Sequence, residues 1–270
     1  ISLKGFSPSS LETYIKNPKE YYFQKLLKLK KEKTNEGSAD HKTIGLIFHE
    51  TIESLYKPFI GKYLEKKDLK EVLQNINKTL KNSFSANNEL FNSGKNLILF
   101  EVIKSGIRVL IQNELNDLNS GSKIKIIALE KPIKGTLNLK NSTKVSITGV
   151  IDRIDEKNGV VRIIDYKTGL VSSSNLTIKD MGLICSDTLR TKAMQLMCYV
   201  WMYHKSTRCE KISAGIISFR NLSNGTMKLK IKNSQTDLID SSSIVSFERE
   251  LKGLISEIMD PKINFKDSEA

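Results

Sequence analysis

The dipeptide Asn158-Gly159, set between two runs rich in apolar and charged residues, constrains this chain more than any other feature. Both central positions of a type I′ turn need positive φ, which Asn and Gly tolerate, so the pair predicts a two-residue hairpin loop. Lys157 then faces Val160, and counting back along both strands brings Asp152 level with Asp165. Opposed residues of an antiparallel pair share a face, with Cβ atoms about 4.5–5.5 Å apart. Lys167, two residues beyond Asp165, lies on that face too. Facing carboxylates repel, and a divalent cation between them removes the penalty; hard oxygen ligands favour Mg2+ or Mn2+. A Lys beside such an ion can orient or deprotonate a water and offset charge growing on a phosphoryl oxygen. On these residues alone an alternative stands. Asp152-Arg153 and Asp165-Lys167 can form solvated cross-strand pairs, and a four-residue loop would shift the register and separate the aspartates. Ile151, Ile154, Ile163 and Ile164 imply burial on both sides of the strands, which weighs against uncompensated acids there.

The periodicity around this hairpin divides the chain into two parts. Residues 1–120 read as helical. Ser9 or Ser10 caps a first helix, the aromatic-basic run 21–27 continues in helical style, and a polar loop follows at 31–42. A second helix starts near Thr43 or Ile44 with Ile44, Ile47, Phe48, Ile52 and Leu55 as its apolar stripe. Two more are expected at 68–83 and 96–118. From 121 the period becomes two, with strands expected at 124–130, 135–140, 145–154 and 160–167. A helix at 188–205, a strand at 212–219, a short strand within 226–232 and a helix at 243–258 complete the reading. With no internal repeat and no low-complexity linker, the expectation is one α/β domain: a helical N-terminal part (1–120) over a core (121–270).

Composition narrows the partners. The net charge is +13 from 43 Lys+Arg against 30 Asp+Glu, which suits a polyanion. Lys outnumbers Arg 36 to 7, however, as an AT-rich coding sequence would produce, and the charge is spread over both halves. No window approaches 18 uninterrupted apolar residues, so no membrane segment is expected. Cys185, Cys198 and Cys209 lack CxxC spacing; they fit a reduced, cytoplasmic protein and argue against a structural zinc site. Glu50 and Glu53 do not complete HExxH around His49, which excludes a zincin site. The start at Ile1 rather than Met, and the polar tail, lead us to expect a piece of a longer protein.

Gly149-Val150-Ile151-Asp152-Arg153-Ile154-Asp155 followed by Ile163-Ile164-Asp165-Tyr166-Lys167-Thr168-Gly169 resembles the PD-(D/E)xK nuclease superfamily, in its RecB/AddB-like exonuclease branch. Three further segments share the resemblance in order: Phe6-Ser7-Pro8-Ser9-Ser10-Leu11, Gly45-Leu46-Ile47-Phe48-His49 and Gln195-Leu196-Met197-Cys198-Tyr199. It implies a restriction-endonuclease-like αβββαβ core with an N-terminal helical cap, and a Mg2+- or Mn2+-dependent deoxyribonuclease. By that resemblance His49, Asp152 and Asp165 are metal ligands, the Tyr166 carbonyl completes the shell, and Lys167 is the catalytic lysine. Gln195 and Tyr199, four apart on one helix face with Thr191 a turn before, brace the site or contact the scissile strand. Glu130 is expected as an outer acid. Arg153, Thr168, Arg190 and Lys192 are expected to contact nucleic acid, with Tyr21, Tyr22 and Phe23 stacking on bases.

The family's partners follow: single-stranded DNA ends, and a helicase or helicase-like subunit or neighbouring domain, since no GxxxxGK[ST] motor motif occurs in this chain. Many relatives hold an iron–sulfur cluster. Here Asn17-Pro18 stands where its first Cys is expected and no Cys-x-x-Cys follows the core, so no cluster is predicted. Two rivals remain: a nuclease-like domain that binds DNA or a partner without cutting, and a nuclease acting on RNA. The intact set His49, Asp152, Asp165 and Lys167 argues against the first.

Overall fold

In the computed structural model, residues 5–29, 41–87, 94–139, 143–232 and 234–265 are described. Five helices precede the sheet: α1 (Pro8–Lys16), α2 (Pro18–Tyr21), α3 (His41–Tyr56), α4 (Lys66–Ala86) and α5 (Gly94–Asn119). Then come β1 (Ile124–Asn138), β2 (Lys144–Lys157), β3 (Val160–Lys167), β4 (Thr177–Ile178), α6 (Thr191–Thr207), β5 (Ile212–Ser218), β6 (Met227–Lys228), β7 (Lys230–Ile231) and α7 (Ser241–Met259). The main sheet has the order β1-β2-β3-β5-β6, with β1, β2 and β3 antiparallel and β3 parallel to β5. This is the αβββαβ core expected from the sequence.

Apolar spacing decides which layer each helix joins. On α4, Leu69, Val72, Ile76, Leu80 and Phe84 recur at helical intervals and are buried. They pack with Phe48 and Ile52 of α3 and Ile103, Ile107 and Ile111 of α5 against one face of the sheet. The other face receives α6, whose residues from Ala193 to Met202 are all buried, because α1 and α7 cover its far side.

Some boundaries differ from the expectation for definite reasons. The N-cap of α1 is Ser7, whose hydroxyl accepts from Ser10 N at 3.2 Å, with Pro8 pre-set in the first turn. The strands expected at 124–130 and 135–140 are one strand, β1, although Pro132 interrupts the pattern; β1 is an edge, where a missing N–H leaves no ladder bond unmade. The region 226–232 splits into β6 on the main sheet and β7, which pairs with β4 in a small second sheet. The polar loop expected at 31–42 lies outside the described residues, except that His41 and Lys42 already belong to α3.

Candidate active site

The hairpin turns at Asn158 (φ 54°) and Gly159 (φ 81°), both left-handed as a type I′ turn requires. Its ladder runs from Lys157↔Val160 to Arg153↔Ile164, so the next step outward faces Asp152 with Asp165. There the strands part, and Asp152 Oδ2 accepts the Tyr166 N–H at 2.7 Å. On the other flank β1 pairs Leu129 with Arg153 and Lys131 with Ile151, which brings Glu130 level with Asp152. A register shift between Ile126 and Ala128 sets this alignment, and Glu130 itself has φ 42°, a conformation rare for a side chain of its size.

Helix α3 adds the fourth group. His49 Nδ1 lies 3.4 Å from Glu130 Oε1 and 3.7 Å from Asp152 Oδ1. One ligand atom each from His49, Glu130 and Asp152 falls within 4.8 Å of the others. Asp165 stands beside this trio but turns to Lys167, whose Nζ is 2.6 Å from its Oδ2 in an ion pair. Gln195 Nε2 is 3.4 Å from Asp165 Oδ1 and donates to Tyr199 Oη at 3.1 Å, so the α6 pair backs the carboxylate from below.

The electrostatics report a crowded anion site. Burial first, and Asp165 second, push the Asp152 carboxyl up to about 7, against the pull of His49 and Lys167. Burial works against the His49 imidazolium, yet the hydrogen bond to Glu130 and the charges of Asp152 and Glu130 outweigh it and raise its pKa. Lys167 likewise ends above its ordinary value, because Asp165 overcomes the effect of burial. An imidazole and two carboxylates this close, one of them holding its proton near neutral pH, are a donor set that fits a divalent cation.

Several expected contacts lie elsewhere. Arg153 cannot touch nucleic acid: it points to the opposite face from Asp152 and is fully buried. Its Nη1 is 2.7 Å from Glu114 Oε1, and its Nε donates to Asp155 Oδ2 at 2.7 Å. Arg162 Nε reaches the same Asp155 at 2.6 Å, and Tyr56 Oη donates to Glu114 Oε2 at 2.6 Å. Two cations thus balance two anions in one buried cluster. Arg190 is also committed, to Asp187 and to the Thr177 carbonyl. Lys192 pairs with Glu12 of α1 at 2.9 Å but keeps partial exposure. Tyr21 is buried and cannot stack on a base, whereas Tyr22 and Phe23 are exposed. Thr168 follows Lys167 at the mouth of the site, lining a groove with Gly169.

Glu114 and Tyr56 escape the sequence reading. The signal for Glu114 is an acid within the apolar stripe of α5, between Leu110, Ile111 and Leu115.

A model of the PD-(D/E)XK nuclease superfamily matches residues 5–270. The chain belongs to this superfamily. Among curated relatives of this PD-(D/E)XK protein is an ATP-dependent helicase/deoxyribonuclease subunit of Clostridioides difficile, 28% identical over 276 residues, which are 93% of this chain and 22% of that one. The protein of the same name from Clostridium perfringens (strain SM101) is 31% identical over 179 residues, 61% of this chain and 15% of its own. An uncharacterized protein of Rickettsia conorii is 24% identical over 212 residues, 72% of this chain and 23% of that protein. The chain therefore spans between 15% and 23% of the length of these relatives. These matches place the PD-(D/E)XK chain with RecB/AddB-like proteins and support a nuclease-type function. No helix among the described residues is long and apolar enough to cross a membrane.

Proposed function

We propose that this chain is a Mg2+- or Mn2+-dependent deoxyribonuclease of exonuclease type, acting in DNA end processing or recombinational repair. The observation that carries the reading is the convergence of His49, Glu130 and Asp152 beside the Asp165–Lys167 pair at the open end of one hairpin. We read residues 1–270 as one nuclease domain, since its sheet carries both apolar cores. The relatives' name, helicase/deoxyribonuclease, supports DNA as substrate and a helicase as partner or neighbouring domain. Single-stranded ends and a cytoplasmic setting complete the proposal, the latter consistent with three free cysteines.

His49, Asp152 and Asp165 would hold the ion, with the Tyr166 carbonyl and with Glu130 at its edge. A divalent ion there supplies charge opposite the phosphoryl oxygens and makes water at the site more acidic. The chain's own groups do the rest. Lys167 keeps its proton on Nζ because Asp165 stabilises the ammonium, so it serves as a fixed positive charge toward the transferring phosphoryl group. Gln195 and Tyr199 hold Asp165 in place, and the Tyr166 N–H orients Asp152. Thr168 and Lys192 are the candidates for contacts along the strand.

Digestion of end-labelled single- and double-stranded DNA with Mg2+ or Mn2+ tests this. The intact chain is expected to cut, and Asp165→Ala and Lys167→Ala to lose cutting by at least about a thousandfold. An intact chain that binds DNA without cutting, or mutants that cut equally well, would replace the enzyme with a non-cutting DNA-binding or scaffold domain.

A further inference from the structure

Beside the catalytic hairpin lies a groove of about 880 Å³. Its floor is Thr168 and Gly169, the two residues after Lys167. Its walls are Ile44 of α3, Leu99 and Val102 of α5, and Phe219, with Arg220 at its rim. The groove is continuous with the site through the chain itself, since Ile44 precedes His49 on the same helix and Thr168 follows Lys167 on the same strand exit.

One wall is held firmly. The Phe219 ring meets Phe48 edge-on at 5.4 Å, and Phe48 in turn meets Tyr166 at 5.9 Å and His49 at 6.2 Å. Phe219 also occupies the space left by the missing side chain of Gly106, where a Cβ would come within 2.1 Å of its ring. Val102, by contrast, is 46% exposed, and Leu170 just beyond the floor is 69% exposed. This is an apolar surface, next to a site for charged chemistry, that the described residues leave uncovered.

The charges around it select the occupant. Among the described residues no carboxylate lines the groove, and its one charged residue is Arg220, without an ion-pair or hydrogen-bond partner among them. An apolar cleft with a free guanidinium at its rim, opening from a phosphodiester site, matches a nucleic-acid strand whose bases are unpaired. A duplex keeps its base faces stacked inside and presents only phosphates and edges.

We infer that this groove holds the unpaired nucleobases flanking the scissile phosphate, with Arg220 on a neighbouring phosphate. The inference rests on the nuclease reading above and extends it to what the enzyme recognises: base faces of a single strand, independent of base identity.

Fluorescence anisotropy on the Asp165→Asn chain, which retains the groove, tests it with three probes of equal length: oligo-dT, an oligonucleotide of abasic sugars, and a blunt duplex. Oligo-dT is expected to bind at least about tenfold tighter than the abasic strand, since each stacked base contributes measurably. Val102→Asp, a change at a half-exposed position, should bring oligo-dT down to the abasic level. Arg220→Ala should weaken both single strands by the same factor. Circular dichroism and a thermal melt of each variant confirm folding. Equal affinity for oligo-dT and the abasic strand overturns the inference, as does a folded Val102→Asp chain that keeps the base preference. Loss by that chain of self-association or of binding to a protein subunit, with base preference intact, likewise overturns it and assigns the groove to a protein. If the intact chain cuts DNA without base preference, the groove inference falls and the nuclease reading stands; base-dependent binding without any cutting leaves the groove and removes the nuclease.

Discussion

Asp152 and Arg153 are chain neighbours that point to opposite faces of one strand: the carboxylate meets His49 and the Tyr166 N–H, while the guanidinium is buried between Glu114 and Asp155. Tyr166, between Asp165 and Lys167, repeats the arrangement, its main chain serving the site and its ring buried on the reverse face. The reverse face also holds Tyr56, on the helix that carries His49, with the Arg153 guanidinium 5.0 Å above its ring. One polar cluster therefore fixes both strands of the hairpin and the histidine helix relative to one another.

Removing a member of that cluster should be costly. Arg153→Ala leaves Glu114 and one oxygen of Asp155 buried without their cation, and is expected to destabilise by about 3–5 kcal/mol. Tyr56→Phe removes only the donor to Glu114 and should cost about 1–3 kcal/mol. Urea unfolding of both variants measures this; a change below about 0.5 kcal/mol for Arg153→Ala would contradict the buried cluster.

The metal-free protein should depend on pH in a definite direction. Asp152, raised to about 7, keeps its proton where an ordinary carboxyl, near about 4, has lost it. Between those values the folded state binds more protons than the unfolded one, so stability falls as pH rises through the window. A divalent cation competes with that proton and should bind more tightly as pH rises through about 7. Thermal melts with and without Mn2+ across this range check both slopes, and Asp152→Asn should flatten them.

Gln195→Leu keeps the approximate size of the side chain but removes the donor between Asp165 and Tyr199. Partners that orient a ligand typically matter by about 10–100-fold in metal affinity or activity. The expected result is a higher Mn2+ concentration for half-maximal cutting with little change in melting temperature. Unchanged metal dependence would remove Gln195 from the site.

Gly106→Ala sets two effects against each other. Alanine favours a helix interior by about 1 kcal/mol. Its Cβ, however, would come within 2.1 Å of the Phe219 ring, and overpacking of this kind costs about 1–3 kcal/mol. Phe219 is wedged against Phe48 and has little room to retreat, so a net loss is expected. Chemical denaturation gives the sign, and a stabilised variant would show that Phe219 moves freely.

The hairpin is legible in the sequence because turn chemistry and register are local: Asn158-Gly159 determines the pairing, and the pairing brings Asp152 to Asp165. Arg153 is misread as a nucleic-acid contact although the same alternation already puts it on the other face; a charged residue is taken to be exposed, and only its partners on α3 and α5 reveal why it is not. Those partners come from far along the chain, as does Glu12, which engages Lys192. No local period encodes such contacts. Pro132 misleads in the other direction, since a break in the pattern is harmless on an edge strand.

The turn itself is stitched to the start of β1: Asn158 N donates to the Lys123 carbonyl at 3.0 Å, and Lys123 N donates to Asn158 Oδ1 at 2.8 Å. It is the zero of a ruler whose fifth mark beyond Lys157 and Val160 is Asp152 on one edge and Asp165 on the other. Adding one residue at this zero would slide one edge past the other by a single graduation, and Asp152 would then stand level with Ile164 or Tyr166. The length of a solvent-facing turn is thus under the same constraint as the carboxylates it aligns, while residues beyond Lys167, past the end of the scale, are free to vary without disturbing the alignment.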